Sequence, residues 1–559
     1  MTETQPDQPP IWLSHYNHPT DWDQLYPPLS MPGMFFRSAG RRGDANLLDF
    51  MGRKYSYREV AAGVVRVAKG LQDMGIGKGD RIGLFLPNVP HYVSAYYGAM
   101  AIGATVVNFS PLYTVDELNH QVEDSGTKVL FTLSATALFP TAHEVLEQSS
   151  LERLVVGSIS GALPAGKALF YSLFRRKESS PQPDDNRITP FFDLIDNDGN
   201  YKAATIHPDK DIALLQYTGG TTGTPKGAMC THQNLTANAR QINDIDPFVD
   251  EVDRLMGVLP FFHVFANSAV LNRTVERGGE IVMLPRFDAK QTLKAITRTK
   301  ITAMPGVPTM YQALLDHPDI DKTDFSSLKV CVSGGAPLPL ELKKKFEAKT
   351  GAKLVEGYGL TESCGVVSAN PYEGLNKPGT IGQPVPGTCV KLVDKGDPTK
   401  PAPAGEPGEL IFSGPQVMQG YWNLPDEDKQ VFVDGFLRTG DVATIDEDGY
   451  IKIVDRLKDM IAVGGFKVFP SQVEEVLYKH EAVREALVIG VPDAYRGESP
   501  KAYVSLEQGS NVTGSDLKKW LNPQLGKHER VVDVMIRDSL PKTMIGKLDR
   551  KALREEELQ

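Results

Sequence analysis

Short apolar runs alternate along this chain with longer segments whose apolar positions recur at helical spacing. Tyr57 to Met74 reads as an amphipathic helix and Val129 to Leu133 as a buried strand. Between them, Leu84 to Val115 contains no Lys, Arg, Asp or Glu. Pro87, Pro90, Gly98, Gly103 and Asn108 divide that stretch into a strand (Arg81 to Leu86), a buried helix (about His91 to Ile102) and a second strand (Thr105 to Phe109). Such a pattern belongs to an α/β core with a parallel sheet and not to a membrane span. A second α/β series follows, with strands expected at Ile212 to Gln216, Arg254 to Leu259, Glu280 to Leu284 and Leu328 to Val332. From about 387 to 455 the pattern changes to short strands broken by Gly, Pro and Asp turns. Residues 456–559 then show mixed β and α patterning of single-domain length. The expected organisation is a large N-terminal region, 1–455, made of α/β lobes at about 1–205 and 206–386 and a β-rich subdomain at about 387–455, followed by a C-terminal domain. No internal repeat is evident.

Composition narrows the classes. A chain of 559 residues exceeds one ordinary core, and 41% hydrophobic with 23% charged residues is a globular balance. The formal net charge of −10 argues against nucleic acid as a partner. From Arg456 onward 17 Lys and Arg stand against 16 Asp and Glu, so this region is near neutral and suits approach to phosphates. Cys230, Cys331, Cys364 and Cys389 show neither zinc spacing nor a disulfide framework, which fits a reducing cytoplasm. The first residues lack the basic and apolar regions of a secretion signal, and Glu-Leu-Gln at the end is no peroxisomal address. Within 157–185, the segment 162–177 joins Ala168-Leu-Phe-Tyr-Ser-Leu-Phe174 to Arg175-Arg-Lys177. An apolar-plus-basic stretch of this kind suits peripheral contact with the inner face of a membrane, and equally a cover over a core or a dimer interface.

The densest chemistry lies in Tyr217-Thr-Gly-Gly-Thr-Thr-Gly-Thr-Pro-Lys-Gly227, directly after a strand. Gly219, Gly220 and Gly223 let backbone N–H groups approach an anion, Thr218, Thr221, Thr222 and Thr224 add hydroxyls, and Lys226 adds charge. This is a polyphosphate cradle. It is not a Walker loop, because Pro225 precedes the lysine where that motif requires glycine.

Further motifs follow in order: Ser333-Gly-Gly-Ala-Pro337, Glu356-Gly-Tyr-Gly-Leu-Thr-Glu362, Thr439-Gly-Asp441, Asp455-Arg-Leu-Lys458 and Pro541-Lys-Thr-Met-Ile-Gly-Lys547. With the phosphate loop they resemble the adenylate-forming superfamily of acyl-CoA synthetases, luciferase-like enzymes and peptide-synthetase adenylation domains. The resemblance runs from about Tyr55 to Arg554 and is nearest to bacterial medium- and long-chain fatty acyl-CoA ligases. It implies two α/β lobes plus a β-barrel, joined to a small mobile α+β C-terminal domain, and ATP, magnesium and CoA as cofactor and co-substrates.

The resemblance also implies roles. Lys547 contacts the attacking carboxylate and the α-phosphate, while Lys226 orders the loop and the β,γ-phosphates. Thr218 and Glu362 hold magnesium through hard oxygen ligands. Gly334, Gly335 and Ala336 flank the adenine and Tyr358 stacks on it, within a motif that includes Glu356, Gly357, Gly359 and Thr361. Asp441 accepts from the ribose hydroxyls, and Arg456 pairs with ribose or phosphate. Lys458 marks the hinge on which the small domain turns, bringing Gly464 and Gly465 to a pantetheine tunnel. His263, in Pro260-Phe-Phe-His-Val-Phe265, guards the acyl site, and Gly306-Val-Pro-Thr-Met310 lines it. Acetate-specific relatives carry Trp where Gly359 stands, so the pocket is expected to extend beyond two carbons. No acidic residue in the His263 segment meets an α-ammonium, which counts against amino-acid activation. Aryl or dicarboxylic acids, a carrier protein as acyl acceptor and luciferase-like oxygenation share these motifs. Relatives are often dimeric, which leaves a homodimer open.

Overall fold

The computed structural model describes residues 10–164, 166–167, 178–218, 225–248, 252–464, 466–543 and 546–557. Gly219, Gly220, Thr221, Thr222, Gly223, Thr224 and Gly465 lie outside the described residues, as do 165 and 168–177 of the segment considered for membrane contact.

The helix Tyr57–Asp73 starts where its sequence directs. Ser56 accepts from Glu59 N at 3.1 Å while the Glu59 carboxylate accepts from Ser56 N at 2.7 Å, closing a capping box. Val60, Val64, Val67 and Leu71 form its buried stripe against the helix Pro90–Ala101. A Cβ at Gly98 would stand 2.8 Å from Val67 Cγ1 and 3.0 Å from the Val64 carbonyl oxygen, so the helices meet at a distance only glycine allows. The second helix is buried on all sides, which explains its lack of charge. Its tyrosines are satisfied internally: Tyr96 donates to Asn267 Oδ1 and Tyr97 to Asn272 Oδ1, both at 2.9 Å. Among the described residues no helix is long and apolar enough to cross a membrane.

Two large sheets form the body. The seven-stranded sheet runs Ile188–Pro190, Arg153–Gly157, Thr127–Leu133, Arg81–Leu84, Thr105–Asn108, Ile212–Tyr217, Gly227–Thr231, parallel except for the final antiparallel pair. The nine-stranded sheet has a parallel centre built from Lys353–Leu360, Val330–Gly334, Ala303–Gly306, Arg254–Gly257, Glu280–Met283 and Asn46–Phe50. The expected division of lobes at 205/206 therefore needs correction. Asn46–Phe50 and Arg53–Ser56 join the second sheet, and Ile212–Tyr217 and Gly227–Thr231 complete the first. Asn46–Phe50 pairs in parallel with the distant Glu280–Met283, and Leu47, Leu48 and Phe50 are completely buried there. A five-stranded antiparallel sheet spans 389–456, and a second apolar core is built within 461–534.

Candidate active site

The phosphate loop leaves Ile212–Tyr217 and returns as Gly227–Thr231, and its two ends are tied together. Thr218 N donates to the Lys226 carbonyl at 2.9 Å, and Lys226 N donates to Thr218 Oγ1 at 3.3 Å. Lys226 Nζ binds Glu427 Oε2 at 2.5 Å and lies 5.4 Å from the centre of the Tyr421 ring. The Tyr421 hydroxyl donates to Glu362 Oε1 at 2.7 Å. Tyr421 and Glu427 were not foreseen from sequence. Tyr421 lies 59 positions from Glu362 in the chain, and tertiary packing brings the two together.

The nucleoside motifs sit at the C-terminal ends of two adjacent parallel strands, Val330–Gly334 and Lys353–Leu360, the usual place for a ligand in an open α/β sheet. Gly335 has φ of +81°, and a Cβ there would stand 2.3 Å from Lys547 Cε and 2.7 Å from Nζ. The lysine thus lies directly on the glycine backbone. Asp441 and Arg456 face one another in register on neighbouring strands, with Arg456 Nε 3.2 Å from Asp441 Oδ1. The Tyr358 hydroxyl donates to the other Asp441 oxygen. Burial raises the Asp441 carboxyl above its ordinary range, opposed by Arg456 and by the Tyr358 hydroxyl. Glu356 is pushed up to about 8 by burial, with the Leu338 N–H, which it accepts at 3.2 Å, and Lys343 opposing. Through the bond from Leu338 N its carboxyl group holds the end of the 335–338 turn. Ala336, Gly357, Gly359 and Thr361 line the same cavity.

Lys547 arrives from the C-terminal domain on a short hairpin. Thr543 N donates to the Lys547 carbonyl at 2.7 Å, and Lys547 N donates to Thr543 Oγ1 at 3.2 Å. Across the domain boundary Thr309 Oγ1 donates to the Gly546 carbonyl at 2.8 Å. Burial, and then Arg456, lower the Lys547 ammonium to about 8, with Asp441 opposing. His263 caps a short helical turn that continues as the π-helical Asn267–Asn272, its Nδ1 accepting from Phe265 N at 3.3 Å. Burial, and then Lys547, lower it to about 3, so the ring is neutral.

The structure brings Thr218, Lys226, His263, Glu362, Asp441, Arg456, Lys458 and Lys547 to one cavity of about 1910 Å³. Gly464 is elsewhere, in a turn with φ of +57° whose N–H donates to the Arg496 carbonyl at 2.8 Å. Of Gly306 to Met310, Pro308 and Thr309 face the cavity, whereas Met310 turns into the core because the helix Pro308–Leu315 packs that side inward. A Cβ at Gly359 would stand 1.9 Å from the Gly365 carbonyl oxygen, so this strand leaves no room for a side chain.

Residues 35–422 match the profile of the AMP-binding enzyme family, and 472–547 match the AMP-binding enzyme C-terminal domain. The chain belongs to the AMP-binding enzyme family. Among curated members of this family it is 40% identical over 552 residues to a long-chain-fatty-acid–CoA ligase of Bacillus subtilis (strain 168), covering 98% of each chain. It is 35% identical over 498 residues to a feruloyl-CoA synthase of Amycolatopsis sp, covering 89% of this chain and 93% of that one. Its fold is similar to that of ATP-bound MatB from Rhodopseudomonas palustris, with a TM-score of 0.81 at 28% identity over 94% of this chain and 99% of that one.

Proposed function

We propose that this AMP-binding enzyme activates a medium- to long-chain fatty acid with ATP as an acyl-adenylate and transfers the acyl group to CoA, releasing pyrophosphate and AMP. The observation that carries the reading is Lys547 of the C-terminal domain resting on Gly335, where the nucleoside motifs meet the acyl side of the cavity. In the first step a carboxylate oxygen attacks the α-phosphorus and the bond to pyrophosphate breaks. In the second the CoA thiol loses its proton, its sulfur attacks the acyl carbon, and the bond to AMP breaks.

Each residue has a task set by charge. Lys547 meets the negative charge that develops between carboxylate and α-phosphate in a water-poor site. Lys226 exchanges Glu427 for the leaving phosphates. The Asp441 oxygens, held by Arg456 and Tyr358, accept from the ribose hydroxyls. Thr218 and Glu362 face the same cavity, and with Tyr421 on one Glu362 oxygen, the other has no partner among the described residues. Those hard oxygens would hold magnesium, which when bound supplies charge neutralisation to the phosphates. Lys458, in the turn Leu457–Asp459 beside Arg456, is the hinge on which the C-terminal domain swings Lys547 away and brings the Gly464 and Gly465 loop towards the thiol path. Membrane contact through 162–177 at the inner face and homodimer formation are further proposals, checked by liposome co-sedimentation and sedimentation velocity.

The feruloyl-CoA synthase relative favours a second reading, an aryl acid in the same cavity. Incubation with ATP, magnesium, CoA and a mixed panel of fatty, aryl and dicarboxylic acids, read by mass spectrometry, separates the two. Fatty acyl-CoAs dominate if the proposal holds. Aryl-CoA alone, or acyl-AMP without thioester, overturns it.

A further inference from the structure

The cavity continues beyond His263 along one face of the nine-stranded sheet. Val330, Val332 and Gly334 alternate on a single strand and all line it, while Cys331 between them is buried in the main core on the opposite face. Ala303 and Pro305, paired in register with Val330 and Val332, extend the same wall. Ile245 and Ala269 face it from the helical side. From Gly334, which precedes the Gly335 on which Lys547 rests, to Val330 the strand covers about 13 Å. The wall is apolar throughout that distance, as an acyl chain requires.

Its far end differs in kind. Arg273, 3% exposed, places Nη1 2.6 Å from each oxygen of Asp253 and binds Asp246 through Nη2. Asp246 is itself buried and accepts from Phe248 N at 2.9 Å, which fixes its rotamer. Both Arg273 and Asp246 line the cavity, with Tyr372 beside them. Ile245, Val330, Ala369 and Tyr372 form a small apolar cluster separate from the main core, as expected where a channel passes between the two.

We propose that the Asp246–Arg273–Asp253 ion triad, fronted by Tyr372, is the rigid floor of the acyl channel and sets the longest fatty acid accepted. The inference rests on the fatty-acid reading above. An apolar floor yields by rotamer changes when a chain presses on it. A buried guanidinium shared by two carboxylates does not, because parting them leaves uncompensated charge away from water. A terminal methyl gains nothing from contact with the triad, so chains that end short of it bind well and longer ones must buckle.

The test is the profile of kcat/KM over saturated fatty acids from hexanoate to eicosanoate, measured on the full-length protein. Tyr372→Ala, which opens space in front of the floor without touching the triad, should move the optimum to longer acids. Val330→Met, which narrows the channel at the same depth, should move it to shorter ones. The preference between adjacent even-numbered acids should change about tenfold or more in each case. A loss of stability or a general fall in activity lowers all acids together, so the shift reports on the channel itself, and Val330→Met suffices if Tyr372→Ala does not fold. Folded variants that keep the parental profile overturn the floor. Wild-type protein that forms no fatty acyl thioester overturns the functional reading, and the floor with it.

Discussion

At residue scale the proposed role of Lys547 is testable because its surroundings lower its pKa. Burial, with Arg456 adding to it, brings the free protein's ammonium to about 8, well below the usual lysine range. In the role proposed for Lys547 the charged form stabilises the transition state, so kcat/KM for adenylation should be level below about pH 8 and fall above it. Lys547→Arg should be slower yet lack that alkaline limb, since a guanidinium stays charged; an unchanged limb would assign the titration to another group. The sign for stability is opposite. Burying the ammonium penalises the closed arrangement at low pH, and the penalty fades as pH rises from about 8 towards the unfolded lysine value of ~10.4. Lys226 presents a simpler exchange. With Glu427 competing for it, Glu427→Gln should lower the KM for ATP about two- to fivefold while kcat holds, and a raised KM would show that the pair orders the loop instead.

At element scale, packing distance decides most outcomes. Gly98 lets two helices touch, so Gly98→Val should cost about 1–3 kcal/mol in thermal or urea unfolding; a neutral result would mean the helices part easily. The helices and buried strands of the first lobe were legible from sequence because each carries its own signal: apolar positions at helical spacing over Tyr57 to Met74, and charge-free runs bounded by Pro and Gly. Strand exchange between the sheets was not, because Asn46–Phe50 reads like any buried strand and its partner Glu280–Met283 is chosen by long-range packing. The turn residues of the site were legible for a similar local reason. Gly335 must accept φ of +81° and the approach of Lys547, and only glycine does both.

At the scale of the whole molecule, the cavity exists because two domains close over it. The Thr309 to Gly546 hydrogen bond and the Arg484–Asp316 ion pair, at 2.6 Å, tie the C-terminal domain to the second lobe with Lys547 inserted. Sequence order alone located Lys547 in its motif, but not Tyr421, Glu427 or the Arg273 triad, whose partners come together only through tertiary packing. A site assembled this way predicts separable half-reactions. The decisive measurement is single-turnover kinetics of Lys547→Ala, with adenylation followed by pyrophosphate release and thiolysis followed from supplied acyl-AMP and CoA. Adenylation should fall by about 10²–10³-fold or more while thiolysis stays within a few-fold of wild type. Equal loss of both steps would contradict the role assigned to this lysine.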